Sequence, residues 1–123
     1  MKPATAKAKG RETENAFVAF LQKNGVVNAE RRRLSGSLDK GDIAGWVSPQ
    51  KDWSVCVEVK SGGKLAVSEW LKELEAEMCN SQADTGFVAV RPKGKPDVQD
   101  WFAVLPVPVL MDLFGKAGFL PTY

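Results

Sequence analysis

The stretch Trp53-Ser54-Val55-Cys56-Val57-Glu58-Val59-Lys60-Ser61-Gly62-Gly63 decides how the chain is read. Its apolar, β-branched run stops at a glycine turn, the pattern of a short buried strand. Two charges interrupt the C-terminal end of that run. Side chains at i and i+2 of a strand share a face, about 6.5 Å apart along it, so Cys56, Glu58 and Lys60 point one way and Val55, Val57 and Val59 the other. Taken alone, an acid and a lysine so placed read as a cross-strand ion pair on an exposed edge, worth less than about 1 kcal/mol. At the mouth of a sheet the same two groups can divide two tasks, the carboxylate holding a divalent cation and the ammonium orienting or deprotonating a water. What stands upstream separates the two readings.

Gly41-Asp42-Ile43-Ala44-Gly45-Trp46-Val47 reads as a strand that begins with an acid, and Ser48-Pro49-Gln50-Lys51-Asp52 as the turn out of it. Aspartate after glycine is also a common turn residue. Pairing Trp46 or Val47 with Trp53 or Ser54 leaves Asp42 near Glu58 or Val59, so one hairpin carries Asp42, Glu58 and Lys60 to the same end of a sheet. Before it, a helix is expected to start between Gly10 and Thr13 and to end at Asn24-Gly25. Its apolar face is Phe17, Val18, Phe20 and Leu21, and Glu14 lies one turn earlier on that stripe. A carboxylate facing the core is costly without a cation or hydrogen-bond partners, which makes Glu14 a candidate site residue; the alternative is an acid favoured by the dipole at a first turn.

The remaining elements follow from periodicity. Val26 to Leu34 reads as a strand that runs into Arg31-Arg32-Arg33. Ala66 to Ser81 reads as a helix with Val67, Trp70, Leu71, Leu74 and Met78 toward the core and Lys72, Glu73, Glu75 and Glu77 largely on other faces. Strands are expected at Thr85 to Arg91 and Trp101 to Leu105, and a short helix from Pro106 to Phe114. The order predicts an α/β (α+β) domain, a mixed five-stranded sheet flanked by helices, over residues 10–123, behind a flexible basic tail at 1–9.

With 123 residues, 44% hydrophobic and 26% charged, the composition is that of one ordinary globular domain. No 18-residue apolar run and no apolar signal core appears, so the expectation is a cytoplasmic protein with no membrane partner. Cys56 and Cys79 read as small buried hydrophobes rather than a disulfide. The absence of histidine excludes a serine triad with a histidine base and histidine-dependent nuclease chemistry, and two cysteines cannot complete a structural zinc shell. A metal here must be held by carboxylates and carbonyls, which selects a hard ion such as Mg²⁺ or Mn²⁺, and no motif for a small-molecule cofactor is present. The net charge of +2 is small, but Lys7, Lys9 and Arg11 precede the first acid, Arg31, Arg32 and Arg33 stand together, and Arg91, Lys93 and Lys95 form a third basic group.

Collected, Glu14 on a helix, Asp42 opening a strand and Glu58-x-Lys60 closing the next resemble the PD-(D/E)XK nuclease superfamily, with Gly41 in place of that motif's proline. Within it the chain is most similar to archaeal-type Holliday junction resolvases and their phage-borne relatives. Lys9-Gly10-Arg11-Glu12-Thr13-Glu14, Arg33-Leu34-Ser35-Gly36-Ser37 and Glu58-Val59-Lys60-Ser61 carry the likeness, which covers about residues 9 to 91. The resemblance implies a restriction-endonuclease-like core and a Mg²⁺-dependent endonuclease that cuts four-way DNA junctions by paired symmetric nicks, leaving 5′-phosphate and 3′-hydroxyl ends. It implies that Asp42, Glu58 and the Val59 carbonyl hold Mg²⁺, with Mn²⁺ substituting, and that Glu14 contributes through water or a second metal. It implies likewise that Lys60 positions the attacking water and offsets the charge of the carboxylates, and that Ser35 and Ser37 contact the scissile phosphate or the opposite strand. Lys7, Lys9, Arg11, Arg31, Arg32, Arg33 and Lys64 are the expected DNA-backbone contacts. Two cuts imply a two-fold homodimer, with Trp70, Trp101, Phe102, Leu110, Met111 and Phe114 as candidates for its apolar face. The rival readings are a nickase, flap or restriction-type nuclease of the same fold, and a catalytically silent DNA-binding or assembly module.

Overall fold

The structure, a computed structural model, describes residues 6–33, 36 and 38–121. The first helix, α1 (Ala6–Lys23), buries Thr13, Phe17 and Leu21 at four-residue spacing and ends where Gly25 takes a φ of 100°. It begins four residues ahead of the expected start. Ala6 to Lys9 consists of alanines and lysines, strong helix formers that extend α1 backwards, so the second half of the expected tail is helical; residues 1–5 lie outside the described residues.

Strands β1 (Glu30–Arg31) and β2 (Ile43–Ala44) form an antiparallel ribbon. Of the strand expected from Val26 to Leu34, only this pair of residues is strand between residues 26 and 33, and Leu34 lies outside the described residues. The first half of the expected strand is a turn instead, in which Val26 N bonds Leu21 O and Ala29 N bonds Val26 O, leaving Val27 72% exposed. The central strands β3 (Val55–Ser61) and β4 (Thr85–Arg91) are parallel, from Val55↔Thr85 to Ser61↔Arg91. Helix α2 (Val67–Ser81) makes the crossover that a parallel pair requires. Strand β5 (Phe102–Val104) adds antiparallel to β4, giving the order β3-β4-β5.

Among the described residues the five strands therefore divide into a sheet of three and a sheet of two, correcting the expectation of one five-stranded sheet. Between the two sheets the ladder is replaced by isolated links: a Val47↔Ser54 bridge, Val55 N to Trp46 O at 3.0 Å and Asp42 N to Val57 O at 2.9 Å. Gly45, at a φ of 83°, stands between the Ala44 and Trp46 halves of the expected strand and turns the backbone out of β conformation.

Alternation along β3 sends its two faces to different helices. Val57 packs with Phe17, Leu21, Ile43 and Ala89 on the α1 side, while Cys56 packs with Trp70, Leu74, Val88 and Val90 on the α2 side. The buried stripe of α2 is Trp70, Leu74 and Glu77, so Glu77 faces inward, contrary to its expected placement. Trp70 is consumed by this core and leaves the set expected for a dimer face; Trp101 is half-buried and stacks on Phe17 at 6.2 Å. Phe102, Leu110, Met111 and Phe114 remain exposed, the last three on α3 (Val107–Lys116). Both cysteines are free; Cys56 is buried, but Cys79 is exposed, on the face of α2 opposite its inward stripe. No helix among the described residues is long and apolar enough to cross a membrane.

Ile43 is the residue through which β2 reaches the α1-side core, and it is 0% exposed. Ile43→Ala is expected to cost about 2–4 kcal/mol and Val27→Ala less than about 0.5 kcal/mol, measured as shifts in urea denaturation at unchanged m-value.

Candidate metal centre

Asp42 is held at three points. Its N–H donates to Val57 O at 2.9 Å, its carbonyl accepts from Arg32 N at 2.8 Å, and its carboxylate Oδ2 accepts from Val59 N at 2.8 Å. Since Val57 and Val59 share a strand parity, both turn their backbone groups toward β2, which puts the Val59 carbonyl on the Asp42 side as well. The hairpin thus places Asp42 beside Val59, and Glu58 and Lys60 follow on the α2 face of the same strand end.

Glu58 is buried on that face, and Lys60 Nζ lies 3.9 Å from its Oε1. The same ammonium makes a closer pair, 2.9 Å, with Glu73 Oε2 of α2. Two acids that the sequence pattern did not place in the site join Glu58 there. Oxygens of Asp39, Glu58 and Glu77 lie within 4.8 Å of one another. Helical spacing was the signal for Glu77, which lies seven residues after Trp70 and three after Leu74, on the core stripe. Asp39 sits in the turn before β2, where its Oδ1 accepts from Gly41 N at 3.0 Å and its carbonyl accepts from Asn80 Nδ2 of α2 at 2.8 Å.

Glu14 reaches the other flank of Asp42 from α1, and Arg31 Nε lies 3.7 Å from its Oε1. Burial, then the charge of Asp42, raises the Glu14 pKa, with Arg31 opposing. Glu58 is pushed far above the ordinary carboxylate range by burial first, then by its contacts with the Glu77 and Asp42 carboxyls. Burial likewise raises Glu77, with the charges of Asp39 and Asp42 adding to it and Glu58 opposing. No fixed donor reaches either Glu77 oxygen among the described residues, and its neighbour Glu58 can donate only when protonated. For Lys60, burial lowers the pKa, but the Glu73 hydrogen bond and the charges of Glu58, Glu73 and Asp42 outweigh it, so the ammonium form is favoured. A concentration of carboxylates with one nearby ammonium and no histidine fits a hard divalent cation.

The expected DNA contacts divide between two clefts. One of about 980 Å³ is lined by Arg11, Arg31, Arg32 and Arg33 together with Glu14, Asp39 and Asp42. A smaller one of about 350 Å³ is lined by Lys9, Thr13, Arg91 and Lys93. Arg91 Nη1 donates to Thr13 Oγ1 at 3.3 Å there. Lys64 is exposed on the loop after β3, next to Gly63 of the smaller lining, and is itself part of neither. Ser35, Ser37 and the side chain of Lys7 lie outside the described residues. Compared with family models, curated proteins and solved structures, the chain matches none.

Raised carboxyl pKa values mean that the folded, metal-free protein binds more protons than the unfolded chain above the unfolded carboxyl value. The stability contributed by Glu14, Glu58 and Glu77 is therefore full below that value and is lost as pH rises toward the folded values. In EDTA, the melting temperature is expected to fall from about pH 5 to 8, and to fall less steeply in Glu58→Gln. Equal slopes in the two proteins, by scanning calorimetry, would sink this assignment.

Proposed function

We propose that the protein is a Mg²⁺-dependent, structure-selective DNA endonuclease with a restriction-endonuclease-like core, acting on four-way junctions as the PD-(D/E)XK resemblance implies. The observation that carries this reading is the clamp of the Asp42 carboxylate on the Val59 amide, at the strand end that also bears Glu58 and Lys60. Asp42, Glu58 and the Val59 carbonyl would hold the ion. Their fit rests on the donor set, which is all oxygen, and on the like charges gathered around Glu58 without a fixed cation of matching number. When bound, Mg²⁺ supplies a water of lowered pKa and neutralises charge on the phosphoryl oxygens.

The chain's own groups supply the rest. Lys60, favoured as an ammonium, donates to the attacking water or to a phosphoryl oxygen and offsets charge developing on the phosphate, rather than acting as the base. Its contact with Glu73 fixes the side chain against α2. Glu14, protonated more readily than an ordinary glutamate, is placed to bind a water on the far side of Asp42. Arg11 and Arg31 to Arg33 line the approach to these acids and suit a phosphate backbone. Such contacts carry no base sequence, so selectivity lies in the shape of the DNA. Paired nicks call for two copies of the chain, and the exposed Phe102, Leu110, Met111 and Phe114 are among the apolar side chains available to join them.

A labelled immobile four-way junction is expected to receive paired nicks with Mg²⁺ and none with EDTA, while linear duplex of the same sequence stays intact. Asp42→Asn is expected to lower the rate by about 10²-fold or more. Equal cutting of duplex would favour a nickase or restriction-type enzyme, and tight junction binding without cutting a silent module. Neutralising Arg31, Arg32 and Arg33 should make the slope of log affinity against log salt shallower by about 0.9 for each phosphate these side chains neutralise. An unchanged slope in a filter-binding titration would remove these arginines from the interface.

A further inference from the structure

We propose that Asp39, Glu58 and Glu77 form a second divalent-cation seat, on the α2 side of β3, that shares Glu58 with the seat of Asp42 and Val59. Glu77 carries the argument. It is 1% exposed, lies on the inward stripe of α2, and neither of its oxygens meets a fixed donor among the described residues, its polar neighbours there being the carboxyls of Glu58 and Asp39. A buried carboxylate left in this state costs several kcal/mol unless a counter-charge or a proton meets it.

Among the described residues, no side-chain cation is paired with it. None of the four ion pairs among the described residues includes Glu77 or Asp39, and Lys60, on the same strand face as Glu58, is engaged by Glu73 and Glu58. The geometry suits an ion instead. One oxygen from each of the three acids falls within 4.8 Å of the others, and two ligands on opposite sides of an ion at about 2.1–2.5 Å stand about 4.2–5 Å apart. Asp39 Oδ1 is taken by Gly41 N, which orients the carboxylate and leaves its second oxygen for a ligand. The Asn80 side chain ties the Asp39 carbonyl to α2, so the turn and the helix are already docked around the space between them. Asp39 is exposed, which gives a hydrated ion its way in, whereas Glu77 closes the inner end.

The ligand is a hard cation held by three carboxylates and water. Its effect is to pin the turn before β2 and α2 to Glu58, and so to orient the acid that the proposed nuclease site uses. The inference rests on that reading only for the role of Glu58, and separate variants keep the two apart.

Isothermal titration of the full chain with Mn²⁺, without DNA, is expected to give two ions per chain for the parent, one for Glu77→Gln and one for Asp42→Asn. In EDTA, Glu77→Gln is expected to melt above the parent, because an unpartnered charge has gone, and to gain less from added Mn²⁺. Asp39→Asn, an exposed change, should lose the same ion and serves if Glu77→Gln does not fold. Loss of the Glu77-dependent ion with retention of one in Asp42→Asn supports the second seat even if no DNA is cut. A parent that binds one ion, unaffected by Glu77→Gln and Asp39→Asn but lost in Asp42→Asn, would overturn the second seat and leave the nuclease reading intact; Glu58 and Glu77 would then share a proton only. Unchanged Mn²⁺ binding in all three variants would overturn both.

Discussion

The hydrogen bond from the Val59 amide to the Asp42 carboxylate joins the two sheets at the point where regular pairing has lapsed. Together with Asp42 N to Val57 O it gives one residue two holds on β3, one through backbone and one through side chain. Ile43 follows immediately and is driven into the α1-side core, so the acid cannot swing away without withdrawing a buried isoleucine. The Asp42 carbonyl meanwhile accepts from Arg32, which sets the path of the three arginines across the cleft. Placement of the acid, closure of the core and the course of the basic segment are thus one arrangement.

The alternation of β3 was legible because a period of two leaves no freedom: once Val55, Val57 and Val59 face α1, Cys56, Glu58 and Lys60 must face α2. The same holds for Phe17 and Leu21 of α1, and for the approach of Asp42 to Val59, which follows from where Trp46 and Val47 meet Ser54. Glu77 was hidden by its charge. Helical spacing puts it on the stripe of Trp70 and Leu74, but an acid is ordinarily assigned outward, and only the carboxylates opposite give a reason for it to turn in. Asp39 was less accessible still, since a turn residue gains a position only when the turn conformation and Asn80 are known. The division of the sheet depends on the positive φ of Gly45, which composition does not reveal.

Gly41 explains a departure from the motif that the sequence resembles. Its φ is 94°, whereas proline is locked near −65°, so proline cannot enter this strand by the same path. Even a methyl group would be crowded, because a Cβ at Gly41 would stand 2.9 Å from Cys56 Sγ and 3.1 Å from Val57 O. Glycine lets the turn lie directly against β3 and within reach of Glu77, whose Oε2 would be 3.4 Å from that Cβ. The absence of proline and the entry of Asp39 into the acidic group are therefore consequences of one tight turn.

The small net charge of the chain conceals a strong segregation. Glu14, Asp39, Asp42, Glu58 and Glu77 occupy the centre, and Arg11, Arg31, Arg32, Arg33 and Lys40 stand along the cleft that opens onto it. A phosphate backbone is attracted by the rim, whereas each carboxylate ionised at the centre repels it, most strongly where burial reduces screening. Lys60 cannot reverse the repulsion, because its charge is already opposed by Glu58 and Glu73 at 3.9 and 2.9 Å. On the proposed reading a polyanion therefore docks on the arginines without any ion, whereas bringing a phosphorus atom up to Asp42 and Glu58 requires added positive charge between them. On the proposed nuclease reading, retention of DNA and reaction with it are therefore separate events, the first sensitive to salt and the second to divalent cations.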